Sequence, residues 1–81
     1  MIEVLKFSAS WCGPCKALAN VLKDVEGITN IDIDENRNAT IENNVRNVPT
    51  LIFLKDGKEV KRSTGMISLT EYNNIINELN N

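Results

Sequence analysis

Short apolar runs alternate with stretches of helical periodicity over the first two thirds of the chain, and a hairpin signal and one last amphipathic stretch follow. Residues 2–7 carry Ile2, Val4, Leu5 and Phe7 with few polar interruptions, the pattern of a short strand buried on both faces of a parallel sheet. Ser8-Ala9-Ser10 breaks that run. From Pro14 onward Ala17, Leu18, Val21, Leu22 and Val25 recur at the spacing of a one-sided helix, which Gly27 stops. Pro14 suits the first turn, where its missing N–H has no intrahelical partner and its φ is already helical. Ile28, Ile31 and Ile33 mark a second strand, so the intervening helix makes a right-handed βαβ crossover between parallel strands. Over residues 36–45 only Ala39, Ile41 and Val45 are apolar; a short second helix is expected there, ended by Val48-Pro49-Thr50.

Thr50-Leu51-Ile52-Phe53-Leu54 reads as a third strand, and Asp56-Gly57 is the dipeptide that a two-residue hairpin turn prefers. The fourth strand is then antiparallel to the third. Residues 58–63 are mostly charged around Val60, as suits an exposed edge that resists pairing with another sheet. Ser68-Leu69-Thr70-Glu71 is a capping box, after which Leu69, Tyr72, Ile75, Ile76 and Leu79 line one helical face. The order is β-α-β-α-β-β-α, an α/β arrangement in one domain over residues 1–81 with no linker or repeat.

Composition narrows what such a domain does. Hydrophobic residues make up 42% and charged residues 25%, a balance that folds rather than stays disordered. A net charge of −2 supplies no field for a phosphate backbone, which argues against nucleic acid as a partner. Met1–Phe7 lacks the basic start and cleavage site of a secretory signal, and no apolar run approaches the roughly twenty residues that span a bilayer. A cytoplasmic protein without membrane contact is expected. Monomer is the default, since no large apolar stripe is left over.

The chemistry rests on two cysteines, Cys12 and Cys15, in a chain with no histidine. At a helix start, residues i and i+3 share a face and lie within disulfide reach. Cys12 sits where free backbone N–H groups and the positive end of the helix dipole favour a thiolate. Cys12 would attack a substrate disulfide and Cys15 would resolve the mixed disulfide, with Gly13 and Pro14 constraining the loop between them. Other readings exist. A structural disulfide closing so small a loop restricts the unfolded chain very little and rarely persists in a reducing compartment. Zinc wants four ligands, whereas two thiols and no imidazole are present, so no metal is expected within a monomer. A cluster shared between two chains has nothing in its favour beyond the pair itself.

Phe7 through Lys16, reading Phe-Ser-Ala-Ser-Trp-Cys-Gly-Pro-Cys-Lys, resembles the active-site segment of the thioredoxin family, itself the standard example of this C-x-x-C chemistry. Ile33-Asp34-Glu35-Asn36, Val48-Pro49-Thr50, the Lys55–Lys58 turn and Gly65 follow in that family's order and approximate spacing. The resemblance implies a thioredoxin-like fold: a four-stranded mixed sheet flanked by three helices, without the additional N-terminal strand and helix of full-length members. It further implies a cis-proline at Pro49 facing the sulfurs, and a substrate groove formed by Trp11, the backbone of Val48, Pro49 and the Thr64-Gly65-Met66 lip. Two positions depart from the pattern. Lys6 stands where the family usually buries an aspartate used in proton transfer at the resolving cysteine, and Asn30 where a lysine partner of that aspartate is usual. A Lys6 turned toward Cys15 would favour a thiolate there; the alternative is an ammonium that snorkels to water.

The implied function is a thiol–disulfide oxidoreductase that reduces protein disulfides through a reversible Cys12–Cys15 disulfide, with no bound cofactor. Its electrons would come from a thioredoxin-reductase-like donor. A glutathione-dependent, glutaredoxin-like reductase is the nearest rival on length, although Gly13-Pro14 replaces the usual Pro-Tyr. A thioredoxin-fold binding module with incidental thiols is the third reading.

Overall fold

A computed structural model describes the whole chain, Met1–Asn81. Strand β1 (Ile2–Ser8) is followed by α1 (Gly13–Val21), β2 (Ile28–Asp32), α2 (Arg37–Glu42), β3 (Thr50–Lys55), β4 (Lys58–Thr64) and α3 (Leu69–Leu79). The four strands form one mixed sheet in the order β2-β1-β3-β4. β1 runs parallel to β2 and antiparallel to β3, and β3 is antiparallel to β4. In the hairpin turn Asp56 and Gly57 both have positive φ, 52° and 85°, as a two-residue turn matching the strand twist requires.

Directly opposed residues of an antiparallel pair share a face of the sheet. Val4 opposes Phe53 and Lys6 opposes Leu51, which puts these four side chains on one face. There Val4, Leu51 and Phe53 form a buried core with Leu18 and Leu22 of the α1 region and with Ile67 and Tyr72. The Phe53 and Tyr72 rings meet tilted, with centroids 5.7 Å apart. Ser68 caps α3 by accepting the Glu71 N–H at 3.1 Å. Ile67 and Tyr72, on either side of that cap, join the same cluster as a hydrophobic staple.

Several local expectations are corrected. α1 ends at Val21, short of Gly27: Leu22 closes the helix by donating to the Leu18 and Asn20 carbonyls, and the chain turns through Lys23 and Asp24. Val25 still packs on the core from beyond that turn. Ala17 is exposed, because Cys15, Leu18 and Leu22 fill the side of α1 that meets the sheet. Leu69 is exposed as well; Ile67 takes the core position at that end of α3. β2 stops at Asp32, which leaves Ile33 to pack beside the cysteines.

The register explains where the site lies. Ser8 pairs with Asp32 and Phe7 with Thr50, so the end of β1, the end of β2 and the start of β3 coincide at one edge of the sheet. The segments bearing Cys12, Asp34 and Pro49 leave or enter the sheet there.

Candidate active site

Beyond β1 the chain makes a turn in which the Cys12 N–H donates to the Ala9 carbonyl at 3.2 Å. Cys12 has extended backbone, φ −94° and ψ 109°, and is the N-cap of α1. Its sulfur accepts the Cys15 N–H at 3.2 Å, taking up one of the donors that every helix start leaves free. Gly13 and Pro14 occupy the first helical positions; a Cβ on Gly13 would meet nothing within 4 Å. Cys12 and Cys15 are joined as a disulfide, their Cα atoms 5.3 Å apart, within the ordinary range for such a bond. Both residues are buried, 5% and 4% exposed, among Ala9, Ile33 and Val48.

The loop before β3 forms the opposite wall. The Val48–Pro49 peptide bond is cis, and Pro49 is fully buried. The Val48 carbonyl oxygen lies 3.7 Å from Cys12 Sγ, within reach of a thiol donor once the pair is reduced. Thr50 fixes the loop by donating its hydroxyl to the Asn47 carbonyl at 2.6 Å. Gly65, at φ 91°, donates its N–H to the Pro49 carbonyl at 2.8 Å, and Thr64 opposes Thr50 across the β3–β4 ladder. Met66 follows with half its surface free, 51% exposed. Trp11 is 67% exposed, and its indole N–H donates to Asp34 Oδ2 at 2.9 Å.

Lys6 is 8% exposed, and burial lowers its pKa from the ordinary 10.5. It lines a cleft of about 200 Å³ together with Ser8, Ala9, Cys15, Lys16 and Asp32. Asn30 is its direct neighbour on β2 and is itself exposed. No group of three or more His, Cys, Asp or Glu side chains is placed to hold a metal ion. No helix is long and apolar enough to cross a membrane.

Asp34 belongs to the Ile33–Asn36 segment that carries the resemblance, but its role does not read from the sequence, and Asp32 and Arg62 carry no signal at all. Asp34 anchors Trp11 across 23 positions of chain. Asp32 lines the Cys15 cleft while its Oδ1 accepts the Asp34 and Glu35 N–H groups at 2.8 and 3.3 Å. Arg62 reaches from β4 to the Asn43 and Asn44 carbonyls, in the segment that leads to Val48. Only the strand register, which the residue pattern leaves unspecified, brings these groups into place.

The family model described as thioredoxin matches residues 2–78. Thioredoxin H-type 1 of Nicotiana tabacum is 41% identical over 70 residues, covering 79% of this chain and 56% of that protein. The thioredoxin of Chlamydia trachomatis is 42% identical over 71 residues, covering 80% and 70%. The chain therefore spans little more than half of the tobacco relative and about 70% of the chlamydial one. Among solved structures, a mutant thioredoxin from Halobacterium salinarum superposes with a TM-score of 0.90 at 30% identity, covering 95% of this chain and 73% of that one. A poplar thioredoxin h gives 0.86 at 29% identity, covering 99% and 78%.

Proposed function

This chain belongs to the thioredoxin family, and we propose that it is a thiol–disulfide oxidoreductase working in the reducing direction, as a carrier that transfers two electrons to disulfides of other proteins. The observation that carries this reading is the placing of Cys12 Sγ, which caps α1 and accepts the Cys15 N–H at 3.2 Å. A thiolate there gains a hydrogen bond from the Cys15 N–H at the favourable end of the helix dipole, whereas the Cys15 sulfur accepts no such bond.

In the reduced protein Cys12 attacks one sulfur of a substrate disulfide. A Cys12–substrate bond forms, and the second substrate sulfur leaves as a thiolate with the electron pair. Cys15 then gives up its proton and attacks Cys12 Sγ. The Cys12–Cys15 bond closes, the Cys12–substrate bond breaks, and the substrate departs as a dithiol. Trp11, Val48, Pro49, Thr64, Gly65 and Met66 form the groove for the substrate segment, with the Val48 backbone offered to an extended chain. A thioredoxin-reductase-like donor restores the dithiol, and no bound cofactor is needed. Residues 1–81 act as one domain, as a monomer, in the cytoplasm, the compartment in which a reducing carrier is useful.

Insulin reduction followed by turbidity, with dithiothreitol as the electron source, tests the reading. The protein accelerates precipitation of the insulin B chain, C12S abolishes the effect, and C15S accumulates a mixed disulfide that mass spectrometry detects at Cys12. Full activity in C12S would overturn it.

A further inference from the structure

Lys6 is the one buried charged residue of the molecule, and the fold gives it no counter-ion: the two ion pairs present are Met1 with Asp56 and Arg62 with Glu59. The Lys6 side chain is largely desolvated while its ammonium still reaches water through the cleft, since no buried side-chain nitrogen is left without a partner; an ammonium so placed is stabilised by any anion that forms beside it. Lys6 lies on the α1 face of the sheet, and the cleft it lines has Cys15 in its wall. Cys15 is itself 4% exposed, so its proton leaves through that cleft or through Cys12. Three other groups bear on the cleft by charge or titration: Cys15 and Lys16 from α1, and Asp32 from β2. Lys16 is exposed, and Asp32 has one carboxylate oxygen, Oδ1, engaged by two backbone N–H groups and forms no ion pair with Lys6. Lys6 is the cation that water screens least.

We propose that Lys6 is a positioning residue for the resolving step, its ammonium acting as the cation that holds the Cys15 thiolate. The proposal rests on the reductase reading given above and names a charge partner within it. In the mixed disulfide Cys12 is covalently blocked and carries no charge, so the Lys6 charge acts on Cys15 alone. The Cys15 proton passes to cleft water, the thiolate pairs with Lys6, and attack on Cys12 Sγ discharges the pair when the substrate thiolate leaves. Across the whole cycle the oxidised protein keeps Lys6 unpaired, whereas the reduced protein offers it an anion. Lys6 therefore shifts the redox equilibrium toward the dithiol. Burial lowers the Lys6 pKa in the disulfide form, and by linkage a Cys15 thiolate beside it would raise that pKa again.

The test is the redox equilibrium of the full chain in glutathione buffers from pH 5 to pH 9, read as the fraction of alkylated cysteines, for wild type, K6M, K6R and K16M. At pH 9 K6M shifts the equilibrium about tenfold toward the disulfide, the lower end of what a neighbouring opposite charge does to a thiol, or roughly 30 mV more reducing. The shift shrinks toward acid, as protonation of the Cys15 thiolate removes the anion that Lys6 holds. K6R, which keeps the charge, follows wild type, and K16M moves little. Superposed wild-type and K6M curves overturn the inference, as does a K6M shift of equal size at every pH or a K16M shift as large as that of K6M. K6Q serves in the same comparison if K6M fails to fold. Because the readout needs no protein substrate, a wild type that does not reduce insulin would overturn the reductase reading alone, while coincident curves would overturn the Lys6 inference alone.

Discussion

Arg62 ties β4 to the backbone that follows α2 through a single half-buried side chain. Its Nε and Nη2 donate to the two oxygens of Glu59 at 2.9 and 2.8 Å, its Nη2 also donates to the Asn43 carbonyl at 2.7 Å, and its Nη1 to the Asn44 carbonyl at 3.3 Å. Asn43 caps α2, and Asn44 has φ 54°, so the guanidinium ties β4 to a strained turn whose chain runs on to Val48 and Pro49. The Glu59 pair is partly exposed and contributes at most about 1 kcal/mol. The short bond from a charged donor to Asn43 adds about the same after allowance for solvent, and the long one to Asn44 little. Arg62→Ala therefore costs about 2 kcal/mol. For a domain of this size that lowers the melting temperature by roughly 10 °C, measurable by circular dichroism on the oxidised protein. Arg62→Lys recovers part of the loss but not the fork. The hydrogen bond from Arg62 holds the Glu59 carboxyl below its ordinary 4.5, so its share of the stability is present above that value and is lost as pH falls through the lowered one. The gap between wild type and R62A narrows accordingly in acid. A drop smaller than about 0.5 kcal/mol, or an R62A loss that E59A reproduces in full, would refute the clamp, since the carbonyl bonds would then contribute nothing.

Leu18, fully buried under the sheet, is the most exacting packing position of α1; Leu18→Ala should lower the unfolding free energy by about 3 kcal/mol in a urea titration, and a loss below 1 kcal/mol would mean that the helix is not seated as described. Ser68→Ala removes the cap of α3 and should cost about 1 kcal/mol by the same assay, whereas Ser68→Asp should cost little. For Lys6 the sign runs toward destabilisation. Its pKa is lowered in the oxidised fold, so the unfolded chain keeps a proton that the folded chain has lost, and stability rises as pH climbs from the folded value toward 10.5. Lys6→Met in the oxidised protein should raise the urea midpoint at pH 7 and flatten that alkaline rise; a lower midpoint would show that the ammonium has a partner after all.

The elements that read most clearly from the sequence are those whose signal is local. The Asp56-Gly57 turn, the Ser68–Glu71 cap and the apolar run of Ile2, Val4, Leu5 and Phe7 each depend on neighbours a few residues away, and the structure has the hairpin, the α3 start and the first strand accordingly, although that strand is parallel only to β2 and antiparallel to β3. The helix ends were less legible. Val25 has the spacing of an α1 residue yet reaches the core from beyond a turn, because packing asks only for an apolar side chain at that point in space. Leu69 has the right helical phase for α3 but is exposed, and Ile67 takes the core position at that end instead. At the site, Cys12 and Cys15 stood out because both the spacing and the helix start are local. Asp32 and Arg62 did not, and Asp34 did so only within the Ile33–Asn36 segment, with no sign of its bond to Trp11. Their partners lie across the β1–β2 register or at the far end of β4, and a polar residue in a loop carries no mark of what will face it.

The measurement that bears most directly on a reducing carrier is the reduction potential of the Cys12–Cys15 pair, obtained by equilibrating the protein in defined thiol buffers at pH 7 and counting alkylated cysteines by mass. The account predicts a value in the reducing range, near the roughly −270 mV characteristic of thioredoxin itself. A pair poised near the roughly −120 mV of a dedicated oxidant, or one that never closes in oxidising buffer, would contradict it.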